Sequence, residues 1–187
     1  MRIPMQFVGA LALGTLLVAP ATAQEVVHAL SGTLTKLDPQ ARTIQVRTND
    51  GSEGVFNFQR QGTDMDFDRD VKQETTPVAS FSKQAGTVIV FYYGNNATRT
   101  AVAVKDLGSG PFDTVEGTVT KFNKHQHTLS VKDSSGKEHN FQLDPKAVAD
   151  TMNGAVPGDK FEPQKGDNVR VIASGSGSTE TALFVRD

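Results

Sequence analysis

Two histidines, His125 and His127, stand one residue apart and are the first candidates for chemistry in this sequence. Imidazoles at this spacing can share a metal ion, and a third ligand would have to come from His139. If the intervening hairpin pairs symmetrically about its turn, His139 lies opposite Ser130, roughly 10 Å from His127 along the strand. That separation is too large for one ion, so the pattern favours a polar turn and predicts no metal site. A metal or small-ligand carrier is the alternative function.

The segment from Asp64 to Asp70 carries an aspartate at every second position, like the opening of a calcium-binding loop. The EF-hand requires glycine at its sixth position and glutamate at its twelfth. Counting from Asp64, those positions hold Arg69 and Thr75, so the motif is absent. Read as a strand, the segment turns its aspartates to water and its apolar side chains inward, and a loose calcium site is the alternative. The inward side chains would be Met65, Phe67 and Val71.

Signatures of catalysis are absent from the sequence. There is no cysteine to act as a nucleophile, and no G-x-S-x-G elbow, phosphate-binding P-loop or H-E-x-x-H motif. The loop at residues 174–178 resembles a phosphate loop in composition alone, because it lacks the lysine and the following helix. The sequence therefore predicts that the protein is not an enzyme and uses no cofactor.

The elements that position these residues occur twice. The stretch Gly32 to Phe56 returns 85 positions later as Gly117 to Phe141, without a gap. Further matches at offsets of 80 and 81 extend the duplication over most of the chain, among them Pro77/Pro157 and Val88/Val169. Such a period predicts a tandem repeat of one small unit. The identical positions of the first stretch are Gly32/Gly117, Thr33/Thr118, Thr35/Thr120, Lys36/Lys121, Thr43/Thr128, Val46/Val131, Gly51/Gly136, Glu53/Glu138 and Phe56/Phe141.

The unit is best seen in the second copy. Alternation of apolar and polar residues predicts strands, and the Asp133 to Gly136 segment predicts a hairpin with Gly136 at the positive-φ position. Asp144 as a cap, followed by Pro145, predicts a short helix that ends near Gly154. Three strands, a helix and two strands is the order of the OB barrel. The expected fold is all-β with one short helix per repeat, as two tandem five-stranded OB-like barrels. The predicted strands are 115–122, 128–132, one containing Phe141, 169–173 and 181–185.

The N-terminal segment indicates a cellular location, and the net charge argues against one class of partner. Arg2 is the only charge in residues 1–23, an apolar run follows it, and small residues end at Ala23. This pattern predicts a secretory signal peptide cleaved after Ala23, too short to span a bilayer. Domains are then expected at 24–107 and 113–187, joined by a linker at 108–112. Loss of Arg2 would change the net charge from −2 to −3, which argues against nucleic-acid binding.

The markers of the second repeat resemble a known family. Gly117-Thr118-Val119, the alternating segment 128–131, Phe141 and the segments 165–171 and 181–185 are similar to small OB-like domains of unknown function in exported bacterial proteins. The resemblance covers both repeats and implies an OB-like fold and a periplasmic or secreted location. A more distant likeness is to periplasmic OB-type copper and silver chaperones, which bind metal through a His, two Met and a Trp. This chain has no Trp, so that metal site is not expected.

One strand of the first repeat differs from its counterpart in the second. Ile89, Phe91 and Tyr93 make a second apolar face on the strand 88–93, where the second repeat has Arg170 and Ser174. An apolar row of this kind is typical of an interface. It predicts packing against the other barrel or the aspartate-rich segment, or else a binding surface for a partner. The binding residues would then be Ile89, Phe91, Tyr93 and the loop residues Asn95 and Asn96.

Together these features predict an exported, non-enzymatic binding module of the bacterial envelope. Its expected partner is an envelope protein or a polysaccharide. A periplasmic metal or small-ligand carrier and a structural spacer are the alternatives.

Overall fold

The computed structural model describes residues 25–59, 67–95, 98–175 and 179–187. The predicted signal peptide lies outside the described residues. The described chain forms two six-stranded sheets, one from each half of the sequence. The first contains β1 (His28–Asp38), β2 (Thr43–Arg47), β3 (Glu53–Asn57), β4 (Thr76–Pro77), β5 (Thr87–Tyr93) and β6 (Thr100–Gly108). The second contains β7 (Phe112–Asn123), β8 (Thr128–Asp133), β9 (Glu138–Thr151), β10 (Gly154–Pro157), β11 (Asn168–Ser174) and β12 (Glu180–Arg186).

The second sheet closes into a five-stranded barrel. Its strands follow the order β10-β9-β12-β11-β7-β8, and β8 returns to pair with β9. The barrel closes through parallel pairing of β12 with β9, which runs from Glu180 opposite Phe141 to Arg186 opposite Asp150, with a register shift between Ala182 and Phe184. Alternate residues of these strands point inward, as the sequence pattern predicts. The barrel core includes Val119, Leu129, Val131, Phe141, Val171 and Val185, each at most 1% exposed.

The central strands of the first sheet have the corresponding order, but this sheet does not form a clear barrel, so the prediction of two five-stranded barrels holds in part. The order is β3-β2-β1-β5-β6-β4. The parallel seam between β3 and β6 consists of a single pair, Asn57 opposite Thr100. An apolar core still fills the interior, with Ile44, Val46 and Phe56 fully buried. The prediction of an all-β fold is confirmed, and a clear five-stranded barrel is present in the second sheet.

The helix predicted after Asp144 is wrong. Asp144 does accept a hydrogen bond from the Lys146 backbone N–H at 2.7 Å, but this local turn leads into an extended chain. Residues up to Thr151 belong to β9, which pairs with β12 on one side and with β10 on the other. Two ladders of hydrogen bonds outweigh the helix propensity of this alanine-containing segment. The one α-helix among the described residues is α1 (Arg69–Gln73), in the first half. Each half also has a short 3₁₀ turn, at Val78–Ser80 in the first and at Gly158–Lys160 in the second.

The aspartate-rich segment, where it is described, forms α1 rather than the predicted strand. Asp68 caps the helix by accepting a hydrogen bond from the Asp70 backbone N–H at 2.9 Å. Phe67 and Val71 do point inward, as the strand interpretation expected, and Val71 is 3% exposed. Asp64, Met65 and Asp66 lie outside the described residues. The capping preference of aspartate therefore decided the structure of this segment.

The β8–β9 hairpin has Gly136 at φ 88°, and its counterpart Gly51 has φ 82°, as the turn pattern predicts. The predicted register is wrong by one residue: His139 lies opposite Val131, and Ser130 lies opposite Asn140. The turn closes through the Asp133 N–H and the Lys137 carbonyl. Its centre is therefore Ser135, rather than the midpoint between the two serines.

Gly117 and its counterpart Gly32 lie where two strands approach too closely for a side chain. A Cβ at Gly117 would lie 2.2 Å from the Lys132 carbonyl oxygen, and one at Gly32 would lie 2.6 Å from the Arg47 carbonyl oxygen. We expect Gly117→Ala to lower the free energy of unfolding by about 1–3 kcal/mol because the backbone must shift. Urea denaturation would measure it, with Ser134→Ala at an exposed turn as control. An unchanged midpoint for Gly117→Ala would contradict the close approach.

A third apolar cluster lies between the two sheets and joins them. It draws residues from the outer face of β1, β5 and β6, from α1, and from β7, β9, β10, β11 and β12. The two units therefore pack directly against each other through a shared apolar core. Its buried members are Val27, Ala29, Val71, Ile89, Phe91, Val102, Ala103, Val148, Ala155, Ile172 and Phe184, with Phe67, Tyr93, Leu107 and Phe112 packed at its margin.

Candidate functional site

The predicted apolar row on β5 lies inside this shared cluster. Ile89 and Phe91 are both 0% exposed. The ring of Phe91 stacks on Phe67 with centroids 5.5 Å apart. Tyr93 is half-buried at the edge of the cluster. These contacts are those expected from packing against the other unit and the aspartate-rich segment. A partner-binding role for Ile89 and Phe91 stays a prediction, and it would require the two units to separate.

The loop that follows β5 is the second part of the predicted binding surface. Asn95 is exposed, and its carbonyl accepts hydrogen bonds from the Thr98 backbone N–H and hydroxyl, both at 2.9 Å. Asn96 lies outside the described residues. The structure thus places Asn95 on the surface, while Ile89 and Phe91 are buried.

The histidines do not converge. His125 is exposed in the β7–β8 turn, and His127 occupies that turn at φ 50°. His139 is instead bound to its own hairpin, with Nε2 2.9 Å from the Asp133 carboxylate and its ring stacked on Phe141. Within the described ranges, no three His, Cys, Asp or Glu side chains form a group that could hold a metal ion.

The described aspartates of the former candidate calcium segment are engaged by a lysine. Lys160, from the 3₁₀ turn of the second half, lies 2.7 Å from Asp68 and 3.5 Å from Asp70. The Asp68 pKa lies below its usual value: burial would raise it, but Lys160 and the Asp70 N–H favour the carboxylate. These aspartates therefore link α1 to the second half of the chain.

An open cleft of about 610 Å³ lies where the β2–β3 turn meets the second sheet. Asp50 reaches the cleft from that turn, and the adjoining Asn49 donates a hydrogen bond to Thr114 on β7. The other walls come from β7, β8, β11 and β12. The charged residues that line the cleft are Asp50, Glu116, Lys132, Asp133, Arg170, Arg186 and Asp187.

Arg170 organises one side of the cleft. Its Nη2 lies 3.0 Å from Asp50 and 2.6 Å from Glu116, so it joins the two halves of the chain. Hydrogen bonds from the Thr48 hydroxyl and the Ser52 N–H, aided by Arg170, lower the Asp50 pKa below its usual range. Asp50 therefore stays ionised at any physiological pH, and these three charges are already paired.

The opposite side of the cleft carries charges with less engagement. Lys132 is exposed and makes no ion pair among the described residues. Among the described residues, Arg186 approaches one carboxylate, that of Asp150, at 3.8 Å. Asp133 is hydrogen-bonded within its own hairpin by the Ser135 hydroxyl and by His139, and these hydrogen bonds lower its pKa. Burial and the charge of Asp167 raise the pKa of Asp187. The cleft thus offers two cationic donors, Lys132 and Arg186, beside carboxylates of which Asp50 and Glu116 are paired with Arg170, and Asp133 with His139.

Asp150 is the one buried carboxylate described between the two sheets, at 4% exposure. Its Oδ1 accepts a hydrogen bond from the Ala29 backbone N–H at 2.9 Å and lies 3.1 Å from His28 Nδ1. Burial raises its pKa, although Ala29 and His28 oppose that shift. Asp150 therefore ties β9 of the second unit to β1 of the first.

Sequence reasoning missed both the cleft and Asp150. Asp50 and Arg170 are 120 positions apart, and Asp150 and Ala29 are 121 apart, so no local pattern connects them. One signal was present: Ile89 in the first half corresponds to Arg170 in the second, an apolar residue against a charged one. This difference indicated that the two outer faces have different surroundings.

Comparisons with known proteins give no family. No protein-family model matches the chain, and no curated protein matches it. A solved structure titled "Crystal structure of Ag(I)CusF" is similar over 40% of this chain and 93% of its own, with 11% identity and a TM-score of 0.30. A likeness this weak carries no argument about function. Among the described residues, no helix has the length and apolar character needed to cross a membrane.

Proposed function

We propose that this chain is an exported, non-enzymatic binding module built from two tandem OB-like units. Its partner is a protein or a polysaccharide of the bacterial envelope, bound at the cleft beside Arg170. The repeated turn glycines and the corresponding strand orders support the duplication. The N-terminal sequence pattern supports export.

The observation that carries this proposal is the cleft itself. It is open, about 610 Å³ in volume, and bordered by both halves of the chain. Arg170, Asp50 and Glu116 hold one wall in a fixed arrangement of paired charges. Lys132 and Arg186 can then donate hydrogen bonds to carboxylate, hydroxyl or carbonyl groups of a polar polymer. Pre-organised donors beside a shallow surface suit binding, since they need little ordering when the partner arrives.

Affinity electrophoresis of the folded protein in gels containing one polymer each tests the proposal. The probes are a neutral glucan, an amino-sugar polymer and a uronic-acid polymer. We expect retardation by at least one polymer, and a loss of about 10-fold in affinity when Lys132→Gln and Arg186→Gln are combined, which is the effect of two or three lost hydrogen bonds. Lys36→Gln, an exposed lysine outside the cleft, is the control.

A polymer that binds the double variant as well as the unchanged protein would contradict the assignment to the cleft. Native mass spectrometry of protein purified without added metal or chelator provides the second measurement. A stoichiometric metal adduct would favour the carrier alternative over the proposal.

A further inference from the structure

The outer edge of β3 is a second surface with a defined chemistry. On one side, β3 pairs with β2 along all its residues, from Glu53 opposite Arg47 to Asn57 opposite Thr43. On the other side, only Asn57 meets a strand, at Thr100 of β6. Within the described part of the chain, residues 53–56 therefore have no strand neighbour on that side. This gap is also the reason that the first sheet is not a clear barrel.

The direction of the backbone groups follows from one hydrogen bond. The Asn57 N–H donates to the Arg99 carbonyl at 3.0 Å, on the side away from β2. Backbone groups alternate in direction along a strand that pairs in antiparallel register. The N–H and C=O groups of Val55 and Glu53 therefore point away from β2 as well. An edge with such unpaired groups is a template for another strand.

The side chain at the centre of this edge is apolar and exposed. Val55 is 48% exposed, one of three large apolar side chains so exposed among the described residues. Its counterpart in the second half is Asn140, which lies 85 positions later and accepts a hydrogen bond from Ser130 at 2.7 Å. Glu53 is the one charged side chain on β3, and Arg47 neutralises it at 2.8 Å. The edge therefore lacks the free charge that commonly prevents strand pairing.

We propose that β3 binds an extended segment of a partner polypeptide by β-strand addition, with an apolar side chain of that segment packed beside Val55. Main-chain hydrogen bonds would supply affinity, and the apolar contact would supply preference. A second copy of this chain is a poorer occupant, because a pairing of five-residue strands buries far less than the roughly 1,200 Å² of a stable interface. An extended peptide can pair with the edge through main-chain hydrogen bonds without a large interface, at lower affinity. This surface is independent of the cleft and goes beyond the function proposed above.

The test uses the full chain and a blocked synthetic peptide of alternating valine and threonine. Nuclear magnetic resonance would follow amide hydrogen exchange during titration, and we expect the amides of Val55 and Glu53 to become protected. Val55→Pro removes an N–H that points away from β2, so the β2–β3 ladder is retained. We expect it to weaken peptide binding by about 10-fold or more. Val55→Asn, which copies the second half, keeps the N–H and should lose less.

Asn140→Pro, at the corresponding position of the second half, is the matched control and should bind the peptide normally. Equal binding by Val55→Pro and the unchanged protein would overturn the proposal, as would protection confined to other strands. Protection of the same amides without peptide, rising with protein concentration and accompanied by a doubled sedimenting mass, would assign the edge to a second copy instead.

Discussion

Replacing Phe91 with alanine is expected to lower the free energy of unfolding by about 3–5 kcal/mol, the range for deleting a fully buried phenylalanine. Phe91 is 0% exposed and stacks on Phe67 in the cluster between the sheets. The loss combines the transfer free energy of the ring with the cavity left behind, and it weakens the contact between both halves. Chemical denaturation monitored by circular dichroism would measure the change.

Tyr93→Ala provides the comparison because Tyr93 lies at the edge of the same cluster and is half-buried. We expect a smaller loss for it, since fewer contacts disappear. If Phe91→Ala kept full stability but lost a partner, the row on β5 would be a recognition surface, and the packing interpretation would fail. A single unfolding transition for the unchanged protein is also expected, because the shared cluster couples the two units.

The shared cluster explains why β5 carries two apolar faces. Val88 and Val90 point into the core of the first sheet, while Ile89 and Phe91 point toward Ile172 and Phe184 of the second half. A strand buried on both faces reads as a continuous apolar run. Arg170 can replace Ile89 in the second half because the Asp50 turn meets it at the margin of the cluster. This sequence difference between the halves thus matches a difference in surroundings.

Local sequence signals predicted most of the fold. The strand segments 115–122, 128–132, 169–173 and 181–185 all lie within observed strands, because alternation and turn glycines act over a few residues. The predictions failed where contacts with distant parts of the sequence determine the local structure. Residues 147–151 could be helical by propensity, but β12 and β10 are available on both sides. Asp68 could belong to a strand, but it caps a helix whose Val71 packs in the shared cluster.

The candidate sites were less predictable for the same reason. The sequence shows His125 and His127 together, but a metal site would also need His139. The position of His139 depends on a hairpin register that one extra turn residue alters. The cleft requires Asp50 and Arg170 to meet, which depends on how the two units pack. Tertiary packing of this kind is not encoded in spacing or composition, so pairwise contacts between the halves had to come from the structure.

Asp150→Ala is the second large effect, with an expected loss of about 3 kcal/mol at neutral pH. The substitution leaves the buried Ala29 N–H without its acceptor and removes the partner of His28 and Arg186. Part of this cost is offset because a buried carboxylate no longer has to be desolvated. Asp150→Asn keeps an oxygen that can accept from Ala29 and should lose less. Urea unfolding of the three proteins would give these differences.

The pH dependence of stability shows whether the protonated or the ionised carboxyl group of Asp150 stabilises the folded protein more. Burial raises the pKa of Asp150 in the folded protein, so the folded state takes up a proton at a higher pH than the unfolded state. Stability from this group therefore increases as pH falls from neutral through the folded pKa toward the unfolded value. Neither variant has this titration, so the difference in free energy of unfolding between the unchanged protein and Asp150→Asn should widen as the pH falls from neutral toward the usual range of an aspartate. If this difference narrowed instead, the ionised Asp150 carboxylate would stabilise the interface by more than its desolvation costs. His28→Gln, which removes the partner of that carboxylate, should then abolish the difference in stability.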